Sequence, residues 1–240
     1  MALLKLFGNI LYYPGCMMKF VTKEQNEKYK KILRKIGIDF IELKELEACC
    51  GSPVLAAGYP QEAKKLAEKN FKVFKEHSVK KIITPCPACF RTFSQEYPKL
   101  LKEWNLEVEH ITQTISKAID DGKLRLKRRG VKVTFHDPCH LGRYSGIYEE
   151  PRKIIASSKA KLLEMEMARE QALCCGGGGG VRANYPELAE EMARERVKQA
   201  EETKAQILVT SCPLCFVQLK EAAKNSKIKV MELSEFINEI

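Results

Sequence analysis

Ten cysteines fall into two sets with nearly the same spacing: Cys16, Cys49-Cys50, Cys86 and Cys89, then Cys139, Cys174-Cys175, Cys212 and Cys215. Each set reads as a single Cys, then Cys-Cys-Gly, then Cys-Pro-x-Cys-Phe. The repeat goes beyond cysteine. Tyr59-Pro60 through Phe90 aligns without a gap on Tyr185-Pro186 through Phe216, pairing Ala63 with Ala189, Ala67 with Ala193, Lys72 with Lys198 and Thr84 with Thr210. A chain written twice is expected to fold twice. The expected fold is therefore α/β and internally duplicated, with two pseudo-symmetric halves that each hold a small parallel sheet flanked by helices. The halves are expected at 1–122 and 130–240, because Asp120-Asp121-Gly122 and the basic run Lys127-Arg128-Arg129 interrupt the apolar pattern between Asp120 and Gly130.

Each half alternates strand and helix patterns. In the first, Asn9–Tyr13 predicts a strand, Thr22–Ile36 a helix capped by Thr22, Ile38–Leu43 a strand, Pro60–Glu76 a helix and Lys81–Thr84 a strand. In the second, strands are predicted at Val131–Phe135, Leu162–Met167 and Ile207–Thr210, with a helix at Pro186–Thr203. Ala63, Leu66, Ala67, Phe71 and Phe74 share one helical face, as do Leu188, Ala189, Met192, Ala193 and Val197. This element order implies parallel sheets with right-handed crossovers. Cysteines follow the strand ends, and in an open parallel sheet the loops after the strands gather at one edge. Five sulfurs are thus expected to converge in each half.

A reducing compartment argues against five disulfides, so these cysteines are read as metal-binding or redox-active. Cys86-Pro87 and Cys212-Pro213 place a cysteine pair at a helix start, where backbone N–H groups favour thiolates, and both members are expected to be preset as thiolates. Adjacent cysteines diverge, so Cys49-Cys50 and Cys174-Cys175 suit a site with several metal atoms. The run Gly176–Gly180 lets backbone approach a bulky inorganic core. It lacks the Gly-Lys-Ser/Thr ending of a phosphate loop. A lone Cys-x-x-Cys is more often zinc or thioredoxin-like redox chemistry than iron–sulfur, but zinc closes with four ligands and each set offers five. Iron–sulfur is the leading reading, and zinc in one half is the alternative left open. His136 and His140 flank Cys139 and are candidates for hydrogen bonding or proton transfer beside that set. His77 and His110 read as surface or packing residues, and Phe90 and Phe216 as core.

The net charge of +10 would in isolation suggest nucleic acid. Two four-iron cores of formal charge about +2, each on five thiolates, would bring that to roughly +4. The basic run carries no interleaved aromatics, so no nucleic-acid partner is expected. No segment approaches the ~18 apolar residues of a spanning helix. The opening Met1-Ala-Leu-Leu-Lys-Leu-Phe-Gly does not read as a signal peptide, so the expected location is cytoplasmic.

The doubled Cys…Cys-Cys-Gly…Cys-Pro-x-Cys pattern resembles the cysteine-rich CCG domain family. This family includes the B and D subunits of heterodisulfide reductase and the iron–sulfur subunits of glycolate, lactate and anaerobic glycerol-3-phosphate oxidising systems. The resemblance covers nearly the whole chain and implies two [4Fe-4S] clusters, noncubane as in the B subunit of heterodisulfide reductase. By that resemblance the ligands are Cys16, Cys49, Cys50, Cys86 and Cys89 in one half, and Cys139, Cys174, Cys175, Cys212 and Cys215 in the other. His136-Asp-Pro-Cys-His-Leu-Gly-Arg143 looks like the version found in the organic-acid branch and in the D subunit of heterodisulfide reductase.

The sequence carries neither the clustered cysteines of a ferredoxin segment nor a flavin or nicotinamide fingerprint. Electrons are therefore expected from a ferredoxin-type iron–sulfur subunit or a flavoprotein, with any membrane association made through such a partner. Three functions compete. The first is an oxidoreductase subunit acting on a thiol/disulfide or another acceptor, the second a pure relay in an organic-acid dehydrogenase, and the third a zinc-stapled assembly module.

Overall fold

A computed structural model describes residues 8–127 and 130–238. The reading of Met1–Phe7 and the Arg128-Arg129 part of the basic run lie outside the described residues. Three strands, β1 (Asn9–Tyr12), β2 (Val79–Thr84) and β3 (Glu107–His110), form one sheet in the order β1-β2-β3. Four more, β4 (Lys132–His136), β5 (Lys161–Leu162), β6 (Ile207–Thr210) and β7 (Lys229–Glu232), form a second sheet in the order β5-β4-β6-β7. All pairings are parallel. The helices of the first half are α1 (Gly15–Phe20), α2 (Lys23–Lys35), α3 (Ser52–Ala56), α4 (Pro60–Glu76), α5 (Pro87–Arg91), α6 (Tyr97–Leu100) and α7 (Ile111–Asp120). Those of the second half are α8 (Glu149–Ser157), α9 (Val181–Asn184), α10 (Pro186–Glu202), α11 (Pro213–Ala222) and α12 (Leu233–Asn238).

The expected duplication is present in the backbone. β1 and β4, β2 and β6, and β3 and β7 occupy matching sheet positions. Even unusual conformations repeat: Lys44 and Arg169 each open a 3-10 turn five residues before a Cys-Cys pair, with φ of 50° and 55°. Ser78 and Lys204, at the ends of the long helices, have φ of 51° and 59°.

Two predicted strands shrink. Ile38–Leu43 contributes a single bridge, Ile41 to Leu11, and Leu162–Met167 reduces to the two-residue β5. Both lie at sheet edges, where only one neighbour offers backbone partners, and the chain then turns toward the Cys-Cys pair. Thr22 stands at the start of α2, but its hydroxyl turns back to the Met17 carbonyl and Met18 Sδ and does not cap the helix. The sequence reading also missed β3 and β7 with the helices that follow them.

Each sheet buries both faces. Leu11, Tyr13 and Ile82 pack with Phe74 of α4 and with Phe93, while Leu208 and Val230 pack with Ala193 and Val197 of α10 and Leu219 of α11. The opposite faces meet in one shared core. Tyr12 and Ile83 join Val133, Phe135, Val209 and Met231 through Ile32 and Leu33 of α2, Ile115 of α7, Ile155 of α8 and Phe236 of α12. Burying each such side chain contributes about 1.5–3 kcal/mol, so the two sheets stabilise each other. Parallel pairing sends every strand end of a sheet to the same edge, and the cysteines lie there.

Candidate metal centre

In the first half, Cys16 follows β1 at the start of α1, Cys49-Cys50 follow the Ile41 bridge, and Cys86 and Cys89 follow β2. The five sulfurs make a continuous chain of contacts: Cys16 to Cys49, Cys49 to Cys50, Cys50 to Cys89, Cys89 to Cys86. The second half repeats it as Cys139, Cys174, Cys175, Cys215 and Cys212, with the Cys175 and Cys215 sulfurs 3.1 Å apart. Cys50, Cys89, Cys175, Cys212 and Cys215 are buried, whereas Cys16 is exposed and Cys139 partly so, which gives each pocket a mouth. None of the ten is in a disulfide.

Local backbone explains the convergence. Cys86 and Cys212 are the residues just before α5 and α11, whose first turns hold Pro87 and Pro213. Gly51 and Gly176, at φ of 90° and 75°, turn the chain after each pair so that their N–H groups reach Cys49 Sγ (3.5 Å) and Cys174 Sγ (3.4 Å). Close approach in the glycine run is tightest at Gly176, where an added Cβ would lie 2.7 Å from the Ala189 carbonyl oxygen, whereas at Gly179 it would meet nothing within 4 Å.

Thiol acidity follows from crowding. The Cys16 and Cys50 thiols hold Cys49 down at about 2, and the Cys139 and Cys175 thiols do the same for Cys174. Their neighbours Cys16, Cys50, Cys139 and Cys175 are pushed up by the contact with that central thiolate and by burial. Cys86 is pushed down by Cys89 and by the backbone N–H groups of Cys89 and Ala88, but Cys89 is pushed up. Adjacent negative sulfurs repel in a buried site, so within this pair charge favours Cys86 over Cys89. Five thiolates together require a polycation among them, which a multi-iron core supplies.

Polar atoms left without partners fit the same reading. Among the described residues, the buried His136 Nε2, Arg196 Nη2, Thr210 Oγ1 and Ser211 Oγ have no hydrogen-bond partner. Ser211 and Thr210 immediately precede Cys212, and His136 lies with Cys175 and Cys215 in a group whose ligand atoms are all within 4.8 Å of one another. Arg196 Nε donates to His136 Nδ1 at 3.1 Å. The proton of this neutral imidazole therefore sits on Nε2, the nitrogen left without a partner. Burial, reinforced by Arg196, holds His136 down at about 3, so it stays neutral. His140 is different: its Nδ1 is 3.9 Å from Cys139 Sγ and its ring lies against Tyr144. His77 is half-buried on the Val73 carbonyl, and His110 is fully buried, capping α7 through Thr112 and Gln113.

The two pockets share a wall. Phe90 of α5 packs on Leu141 and Ile147, Gln95 Nε2 donates to the Tyr144 carbonyl at 2.8 Å, and Arg91 lies 4.4 Å over the Tyr144 ring. The loop bearing Cys139 and His140 is thereby held against the helix bearing Cys89. Beside it, Arg152 binds Asp137 through two bonds of 2.7 and 2.9 Å and also reaches Glu164.

The sequence profile of the CCG cysteine-rich domain matches this chain twice, over residues 10–94 and 133–220. The chain belongs to the CCG cysteine-rich domain family. It is 37% identical over 240 residues to the D subunit of the dihydromethanophenazine:CoB–CoM heterodisulfide reductase of Methanosarcina barkeri, covering 97% of this chain and 59% of that one. It is 32% identical to the EtfAB:quinone oxidoreductase of Syntrophomonas wolfei, covering 95% of this chain and 34% of that protein. It is 30% identical to the B subunit of the fumarate reductase (CoM/CoB) of Methanothermobacter marburgensis, covering 96% of this chain and 46% of that one. The chain thus spans about three fifths or less of these curated relatives. They are oxidoreductases or oxidoreductase subunits, and the redox family of this CCG chain is that of iron–sulfur proteins. Among the described residues no helix is long and apolar enough to cross a membrane.

The CCG sequence pattern exposed the ten cysteines and two histidines. It missed Asn70 and Arg196, which occupy matching positions on the inner faces of α4 and α10, and it placed on the α10 face Leu188, which is exposed. A charged residue in step with Ala189, Ala193 and Val197 was the available signal.

Proposed function

We propose that this chain is an iron–sulfur oxidoreductase subunit that binds one four-iron, noncubane cluster on Cys16, Cys49, Cys50, Cys86 and Cys89 and another on Cys139, Cys174, Cys175, Cys212 and Cys215. The observation that carries the reading is the matched pair of five-sulfur chains, each too rich in thiols for a single zinc ion. When bound, the clusters supply one-electron chemistry. The protein's own part is to converge the thiolates, exclude water from the inner sulfurs, keep a neutral His136 ring grouped with Cys175 and Cys215, and leave the mouths at Cys16 and Cys139 open.

The acceptor in this reading is a disulfide. Its S–S bond breaks as two electrons and two protons are taken up, giving two thiols. Electrons come from a ferredoxin-type iron–sulfur or flavin partner. His140, half-buried beside Cys139, is the group positioned to carry a proton at the second mouth. The kinship with an EtfAB:quinone oxidoreductase favours, as a second reading, a relay that touches no disulfide.

The deciding experiment uses anaerobically iron-loaded protein reduced by a strong artificial donor and mixed with disulfides of varied charge. Thiol release matched by reoxidation of the visible chromophore is expected. Reoxidation by a quinone or a partner protein without thiol release would favour the relay, and a colourless zinc protein would leave only the assembly module.

A further inference from the structure

The two cysteine pockets have nearly the same backbone but different buried charge. On α4, Asn70 is fully buried, donates from Nδ2 to the Cys49 carbonyl and to Tyr97 Oη, each at 3.0 Å, and accepts the Ala48 N–H at Oδ1. Tyr13, which precedes the first pocket as His136 precedes the second, is buried and donates to the Ala48 carbonyl. The first pocket is therefore backed by neutral groups. At the matching position on α10 stands Arg196, equally buried, which donates to His136, the Met167 carbonyl and Gln199 and leaves Nη2 unpartnered.

We infer that Arg196 holds the second-half site at the higher reduction potential, so that an electron shared between the two sites rests in the second half. The inference deepens the iron–sulfur reading and rests on it. An added electron makes a cluster and its thiolates more negative, and a fixed cation in a water-excluded wall stabilises that state. Arg196 remains a cation, since burial pushes it down only to about 10 and Asp137 and Cys215 act the other way.

The surrounding charges do not cancel this difference. Arg152 is shared between Asp137 and Glu164, but Arg143, held on the Glu170 and Ala172 carbonyls, and Arg196 stand on the same side, so three guanidinium groups face two carboxylates and the second side stays net positive. Near Tyr13 the first half has Glu47, a largely buried acid. In the resulting transfer the first-half site loses one electron as the second-half site gains it, and the partner redox protein restores the first.

The test is a potentiometric titration of anaerobically iron-loaded protein followed by electron paramagnetic resonance. Two reduction waves are expected. Arg196→Asn, which copies the first pocket, should lower the higher wave by at least about tenfold in the one-electron equilibrium, about 59 mV, and leave the other in place. Arg196→Lys should restore most of it. Should Arg196→Asn lose second-half iron, Cys175→Ala and Cys50→Ala, each keeping one site, give the two potentials directly. Equal or reversed potentials, or waves unmoved in an iron-replete Arg196→Asn protein, would overturn the inference while leaving the iron–sulfur reading standing. Protein that takes up no iron would overturn both.

Discussion

Arg196 donates from Nε to His136 Nδ1 across 3.1 Å, with both side chains sealed from solvent. The bond fixes which imidazole nitrogen bears the proton, leaving an unpartnered Nε2–H on a ring that groups with Cys175 and Cys215. His136→Ala should lower the second-half reduction potential and destabilise the fold by about 1–3 kcal/mol, because Arg196 Nε loses its acceptor. His140→Ala should do less to the potential, since its ring lies on Tyr144 and only its Nδ1 nears Cys139. Unchanged potential, stability and activity in both variants, at full iron content, would leave the two histidines as packing groups.

Two five-sulfur pockets should hold about eight irons and about eight sulfides when both carry four-iron clusters. Cys50→Ala or Cys175→Ala should remove or convert the cluster of one half and spare the other, because the two sulfur chains share no member. Iron analysis at about four per chain with one zinc would limit redox chemistry to one half. A single substitution that bleached both would show that the pockets depend on each other.

Gly176 should tolerate no side chain. Its φ is +75°, and an added Cβ would lie 2.7 Å from the Ala189 carbonyl oxygen of α10. Gly176→Ala should cost about 1–3 kcal/mol and reduce second-half metal retention, because the turn brings its N–H to Cys174. Gly178→Ala, whose Cβ would meet only Leu214 at 3.9 Å, is the control and should melt near the parent.

Glu232 is fully buried at the end of β7, accepts from Tyr29 Oη at 2.7 Å and is pushed up to about 7 by burial. Its folded state holds a proton more tightly than the unfolded chain, so its contribution to stability is full below about pH 4.5 and is lost as pH rises through about 7. Glu232→Gln, which can still accept from Tyr29 and Ser234, should flatten that part of the stability profile. The slope it removes amounts to up to about 3 kcal/mol. Chemical denaturation at a series of pH values reads this directly, and a parent whose stability rises over that window would contradict the assignment.

The cysteine spacing together with the apolar periodicity determined the duplication, the α/β alternation and the gathering of five sulfurs at one edge of each sheet. These follow from local pattern: α4 begins and ends at Pro60 and Glu76 and β6 spans Ile207–Thr210, as apolar periodicity and a proline at the first turn require. Tertiary structure decided the rest. Edge strands reach only as far as a neighbour offers backbone partners, so Ile38–Leu43 keeps one bridge. Which face of each sheet turns toward the other half is set by shape in the shared core, where Tyr12 and Ile32 of one half join Phe135 and Ile155 of the other in one cluster. A residue's charge is legible in sequence, but its field depends on what surrounds it. Asn70 and Arg196 are plain letters at matching positions until burial beside the sulfurs removes the water that would screen one of them.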